Sequence, residues 1–209
     1  MADAATLRPR SAFDGLLTPG DRGGRDDGEP GVRFAERTGL ALAGVVARRG
    51  RTGELAVAAE RAFGIALPTT PRRVAGAELE ASWAGPRQWL FLTDEAVVPD
   101  LAVRLASAFK GLASVTDQSE ARAIVRIAGP RARDLLAKGC SVDLHPAEFG
   151  PGRTAVTVIA HINVQIWQTD ERPTFEVAVA RSFAPSLWRF LAASADEFGY
   201  VVEAAVAGR

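Results

Sequence analysis

Residues 117–140 read DQSEARAIVRIAGPRARDLLAKGC, the residue order of a strand, a tight turn and a helix. Ala123, Val125 and Ile127 alternate with Ile124, Arg126 and Ala128, and β-branched residues fill the run as a strand prefers. Gly129-Pro130 then breaks the strand. Pro130 suits a first helical position, where a missing N–H costs nothing. Ala132, Leu135 and Leu136 form one apolar stripe on the helix, and Gly139 is expected to end it in a left-handed conformation. None of these residues is an obvious catalyst, so the stretch is scaffold.

The same punctuation organises the chain on both sides of this stretch. Upstream, residues 40–47 form a small-residue strand, and 54–63 form a helix with Leu55, Ala58, Ala59 and Ala62 on one side and Gly64 at its end. The proline-fenced loop LPTTP follows. Strands at 78–83 and 88–93 are joined across AGPR as a hairpin. A helix then begins at Pro99, with Leu101, Leu105, Ala108 and Phe109 apolar. Downstream come VDLHP, strands at 154–159, 162–168 and 174–180, and a closing helix containing Leu187, Trp188, Leu191 and Phe198. Helix, proline loop, strands and helix thus occur twice. The pattern predicts a duplicated α+β fold of helix–strand–strand–helix units, each sheet covered by helices on one side. Residues 31–209 are expected to form one α+β domain of two pseudo-repeats, about 31–116 and 117–209. Residues 1–30, densest in Gly and charge at PGDRGGRDDGEPG, are expected to be a flexible arm, although Phe13, Leu16 and Leu17 could dock as a short helix.

Composition narrows the function. The chain has 209 residues, 47% of them hydrophobic, enough for a sizeable core. Lys+Arg 25 balances Asp+Glu 25, which argues against general affinity for nucleic acid or an anionic membrane surface. Cys140 is the sole cysteine, so no intrachain disulfide or cysteine-based metal cluster can form; a buried, inert thiol is expected. No apolar run approaches the roughly 20 residues of a membrane span, and MADAATLRPR lacks the apolar segment of a secretory signal. The expected location is cytoplasmic.

No phosphate loop, dinucleotide fingerprint, nucleophile elbow or zinc-protease motif occurs. The two histidines, His145 and His161, are too far apart to suggest a metal pair, and His145 before Pro146 suits a surface or capping role. A sharper possibility lies at 161-HINVQIWQ-168. Ile162, Val164 and Ile166 fall on one strand face, while His161, Asn163, Gln165 and Trp167 fall on the other. Hydrogen-bonding groups beside a large aromatic suit a protein interface, a small-molecule platform, or a sheet face satisfied from within. Trp188 and Arg189 on the last helix are further candidates for an interface, because large aromatics and Arg are enriched at binding hot spots.

Five segments together resemble a known family: RTGLALAGVVARRG (37–50), ELAVAAERAFGIALP (54–68), WAGPRQWLFL (83–92), DQSEARAIVRIAGPRARDLLAKGCSVDLHP (117–146) and FEVAVARSFAPSLWRFL (175–191). In order and spacing they are similar to the gamma subunit of heterotetrameric sarcosine oxidase, over about residues 32–200. The resemblance implies a fold like the folate-binding aminomethyltransferase of the glycine cleavage system. It also implies a place beside alpha, beta and delta subunits in a bacterial complex that demethylates sarcosine to glycine, releases hydrogen peroxide and passes a one-carbon unit to tetrahydrofolate. FAD, FMN, NAD and the folate site are implied on other subunits, with no cofactor bound by this chain. The transferases carry an acidic pair at a place matched here by IAHINVQIW, which holds no carboxylate to serve the folate. No catalytic residue carries over, and a non-catalytic subunit is the expected role. The alternative is a free-standing folate-binding one-carbon protein.

Overall fold

The computed structural model describes residues 10–24 and 28–207. In chain order its elements are β1 (Arg22–Gly23), β2 (Val32–Thr38), β3 (Leu40–Ala47), α1 (Thr52–Phe63), β4 (Arg73–Ala75), β5 (Glu80–Gly85), β6 (Gln88–Asp94), α2 (Leu101–Ala108) and β7 (Ala113–Asp117). Then follow β8 (Arg122–Ala128), α3 (Ala132–Ala137), β9 (Thr154–Ile159), β10 (Ile162–Gln168), β11 (Phe175–Ala180), α4 (Ala184–Ala195), β12 (Tyr200–Val202) and β13 (Val206–Ala207).

Both β3–β7 and β8–β12 run strand, helix, three strands, helix, strand. The first set forms a sheet of order β4-β5-β6-β3-β7, antiparallel throughout. The second forms β9-β10-β11-β8 with β12 beyond, and β2 is inserted between β8 and β12. The N-terminal strand, Val32–Thr38, therefore belongs to the sheet of the second half and not to the half expected from its position. It pairs antiparallel with β8 and parallel with β12 and β13.

The apolar periodicity of each element explains the layers. Leu55 and Ala59 of α1 and Leu101 and Leu105 of α2 pack on Ala43, Val45 and Phe91 of the first sheet. Leu135 and Leu136 of α3 and Leu187 and Leu191 of α4 pack on Val125, Ile127, Val164 and Val177 of the second. A smaller cluster of Leu42, Leu90, Leu92, Ile124, Trp167 and Ala178 joins the uncovered faces of the two sheets. The result is helix, sheet, sheet, helix, with the 117–140 stretch supplying β8 between β2 and β11.

Three local expectations are corrected. Pro130 is not the first helical residue: it lies before the cap, Arg131, of a helix that begins at Ala132. Gly139 is not left-handed: α3 stops at Ala137, Lys138 caps it in a right-handed conformation, and a Cβ on Gly139 would run into the Phe190 ring of α4. Glycine is used there for close approach. Gly129 has the conformational role instead, at φ +110° and against the backbone of Gly31. His161 leaves the strand it was assigned to, forming with Ala160 a two-residue turn at φ 67° and 48° that joins β9 to β10.

The flexible arm is also corrected for residues 10–24. Phe13 is 1% and Leu17 9% exposed, both within the core of the second sheet. The Ser11 hydroxyl donates to Glu36, Arg181 donates to the Arg10 carbonyl, and β1 pairs with β12. The apolar trio in that segment buries enough surface to hold the intervening polar run. Residues 1–9 and 25–27 of the expected arm lie outside the described residues.

Candidate functional site

The six residues singled out from the sequence separate into three places. Gln165 and Trp167 are 1% and 0% exposed, facing the other sheet and not a partner. This corrects the reading of both as docking residues: a second layer of the same chain covers their face. His161 and Asn163, nearer the β9–β10 turn, remain exposed. Trp188 is half-buried on α4, edge-on to Phe34 at 5.2 Å and to Tyr200 at 5.9 Å, so its ring serves the core. Arg189 beside it is exposed. His145 is exposed too; its ring Nδ1 accepts the Ala147 N–H, and its own N–H donates to Asp143, a capped turn as expected. Cys140 is half-buried, and burial pushes its thiol above the usual value.

Trp167 leads to the most polar point of the interior. Its Nε1–H donates to Glu176 Oε2 at 2.8 Å. Arg37 Nε lies 2.9 Å from Glu176 Oε1, with both side chains nearly excluded from water. Arg37 also donates to the carbonyl of Ala207, tying β13 to the cluster. From the other sheet, Arg73 pairs with Glu80, comes within 3.9 Å of Glu176, and stacks its guanidinium 5.2 Å from the centre of the Trp167 ring. Two guanidiniums thus oppose two carboxylates across the junction of the sheets. Buried charges persist when they are paired and hydrogen-bonded, so the cluster fixes how the sheets dock.

Beside this cluster a cleft of about 560 Å³ is bounded by Arg37, Arg73, Glu78, Glu80 and Asp94. Each of its carboxylates has an internal partner: Glu80 has Arg73, Glu78 has Arg104, and Asp94 accepts the Ala96 N–H. The sequence reading missed Glu176, Arg37 and Arg73. A signal for Glu176 existed, a lone charge inside the apolar strand FEVAVA, but period-two alternation places it on the face usually given to solvent.

Glu36 forms a second polar point, under the N-terminal segment. Burial raises its carboxyl above the ordinary value, against the opposing hydrogen bond from Ser11 and the charge of Arg181. The native chain therefore holds this proton more tightly than the unfolded chain. Between the unfolded value near 4.3 and the raised native value, the unfolded state releases the proton first, so Glu36 costs stability as pH rises through that window. Glu36→Gln keeps an acceptor for Ser11 and removes the charge. Denaturant unfolding of both proteins at about pH 4 and about pH 7 should show the variant gaining relative to wild type at the higher pH. An equal difference at both values would refute the assignment.

Residues of both sheets also line a groove near the β9–β10 turn. Its cavity is about 440 Å³, with a smaller one of about 130 Å³ continuing along the first sheet. Gln88, Gln118, Asn163 and Gln165 line it with amides. Gln165 Nε2–H donates to Ser82 Oγ at 2.9 Å and to the Trp83 carbonyl at 3.0 Å, while its Oε1 is buried without a partner. Arg122 sits between both cavities, half-buried; its Nε–H donates to Gln118 Oε1 at 2.6 Å. Burial draws the Arg122 guanidinium below its ordinary value.

Among the described residues no group of His, Cys, Asp and Glu is arranged to hold a metal ion, and no helix is long and apolar enough to cross a membrane.

Comparison with known proteins gives a consistent result. The model of the family described as "Sarcosine oxidase, gamma subunit family" matches residues 49–197. The chain is 33% identical to the sarcosine oxidase subunit gamma of Corynebacterium sp. (strain U-96) over 174 residues, 82% of each chain. It is 38% identical to that of Arthrobacter sp. over 132 residues, 62% of this chain and 63% of the relative. Among solved structures it is similar to a chain of heterotetrameric sarcosine oxidase from Corynebacterium sp. U-96, with TM-score 0.76 and 30% identity over 91% of this chain and 96% of the other. The glycine cleavage system aminomethyltransferase T of Bartonella henselae shares the fold, with TM-score 0.60 and 14% identity over 78% of this chain and 46% of that one.

Proposed function

Because this chain belongs to the sarcosine oxidase gamma subunit family, we propose that it is a small non-catalytic subunit of a heterotetrameric sarcosine oxidase, acting in assembly and stability. Its partners are the alpha, beta and delta subunits. The whole complex demethylates sarcosine to glycine, releases hydrogen peroxide and transfers the one-carbon unit to tetrahydrofolate. FAD, FMN, NAD and tetrahydrofolate reside on other subunits.

The observation that carries this reading is the extent of the structural match, 91% of this chain against 96% of a chain from the heterotetramer. A match over nearly the whole of both chains supports the same place in the assembly. The interior supports the same view: Glu176, central and almost fully buried, is engaged by Arg37 and Trp167, leaving it poorly placed to exchange a proton with a ligand. A free-standing folate-binding one-carbon protein is less well supported, because the likeness to the aminomethyltransferase is at 14% identity and extends to fold alone.

Co-expression with genes for the three other subunits, one of them tagged, tests the proposal. The chain should be captured stoichiometrically, and its omission should sharply reduce the yield of assembled oxidase. Capture of a complete, active oxidase without it, while the chain itself stays monomeric in solution, contradicts the proposal.

A further inference from the structure

Gln165 is 1% exposed, yet its Oε1 has no hydrogen-bond partner. That atom is closed to solvent, and the groups open to the groove are its other amides and Arg122. Arg122 at the same groove has a neutral partner in Gln118, and among the described residues no carboxylate pairs with it. The rim adds apolar surface: Val46 is 45% and Val156 52% exposed, one on each of the two sheets. Amide walls, an uncompensated cation and an apolar rim together suit a polypeptide. Trp89, the one ring lining the groove, is 3% exposed and too covered to stack on a flat aromatic ligand.

We propose that this groove receives an extended acidic segment of a partner subunit, with a carboxylate on Arg122 and apolar side chains over Val46 and Val156. Gln88, Gln118 and Asn163 exchange water for the segment's peptide groups, which amides can pair as both donor and acceptor. The inference rests on the subunit reading above and names where on this chain one partner docks. Charge complementarity selects the occupant: a carboxylate supplies the ion pair that Arg122 lacks, whereas a basic segment would meet it with like charge.

The test uses the co-expressed complex with one tagged large subunit. Val156→Glu sets a like charge on the rim and Arg122→Glu reverses the cation; Arg122→Lys and Val103→Glu, the latter on exposed α2, serve as controls. The groove variants should lower capture of the chain at least about ten-fold, through the like charge at the rim and the ion pair lost at Arg122, while both controls are captured like wild type. Thermal unfolding of the purified chains should show Val156→Glu folded as stably as wild type, separating docking from folding. Wild-type capture by both groove variants overturns the groove assignment and leaves the subunit reading intact. Failure to capture even the wild-type chain overturns the subunit reading and this inference with it. A dimer of the isolated chain that Val156→Glu disperses assigns the groove to a second copy and overturns the acidic partner.

Discussion

Glu176→Ala should destabilise the isolated chain by about 3–5 kcal/mol, the usual cost of breaking a buried ion pair from one side. Removing the carboxylate strands Arg37, whose side chain is 3% exposed, and leaves the Trp167 Nε1–H without an acceptor. Glu176→Gln should cost less, because an amide oxygen still accepts from Trp167. The double variant Arg37→Met/Glu176→Met should recover part of the loss, since both charges go together and apolar groups of similar size fill the space, while the Trp167 Nε1–H stays without its acceptor. Denaturant unfolding of wild type, Arg37→Met, Glu176→Met and the double variant forms a double-mutant cycle. Additive single-site losses would mean that the two residues do not act as a pair, and the junction of the sheets would need another explanation.

Phe13→Ala should produce a loss of similar size, about 3–5 kcal/mol, as for a fully buried Phe in a packed core. Phe13 belongs to the core that also contains Phe34, Val125, Leu187 and Val202. The turn that positions it is held by the Phe13 N–H donating to Ser11 Oγ at 2.9 Å and by the Leu16 and Leu17 N–H groups donating to the Phe13 carbonyl. Had residues 1–30 been a solvated arm, the same substitution would change stability by no more than about 0.5 kcal/mol. The midpoint of chemical unfolding separates the two outcomes.

Periodicity was a good guide wherever a segment has one apolar and one polar side. The strands read at 154–159 and 162–168 coincide with β9 and β10, and Gly64 ends α1 in a left-handed conformation as its position suggests. Periodicity was a poor guide where a second sheet covers the polar side. Glu176, Gln165 and Trp167 alternate with apolar neighbours as solvent-facing residues would, yet they are buried because the other half of the duplicated fold lies over them. No local pattern encodes that long-range packing. The insertion of β2 between β8 and β12 is similarly invisible: a strand's own residues state that it pairs, not with whom. Of the candidate residues, Asn163 stays at an open surface nearer the β9–β10 turn, where it lines the groove.

In the proposed role this chain contributes architecture and not chemistry. The most direct measurement is sarcosine-dependent peroxide release per assembled complex, comparing complexes that contain the wild-type chain with complexes that contain Arg37→Met/Glu176→Met. The central ion pair of the buried cluster would then be gone while the apolar cluster between the sheets remains. The expected result is unchanged turnover per complex, whatever the yield of assembly. Full assembly accompanied by a large fall in turnover would contradict the claim and place these residues in the reaction.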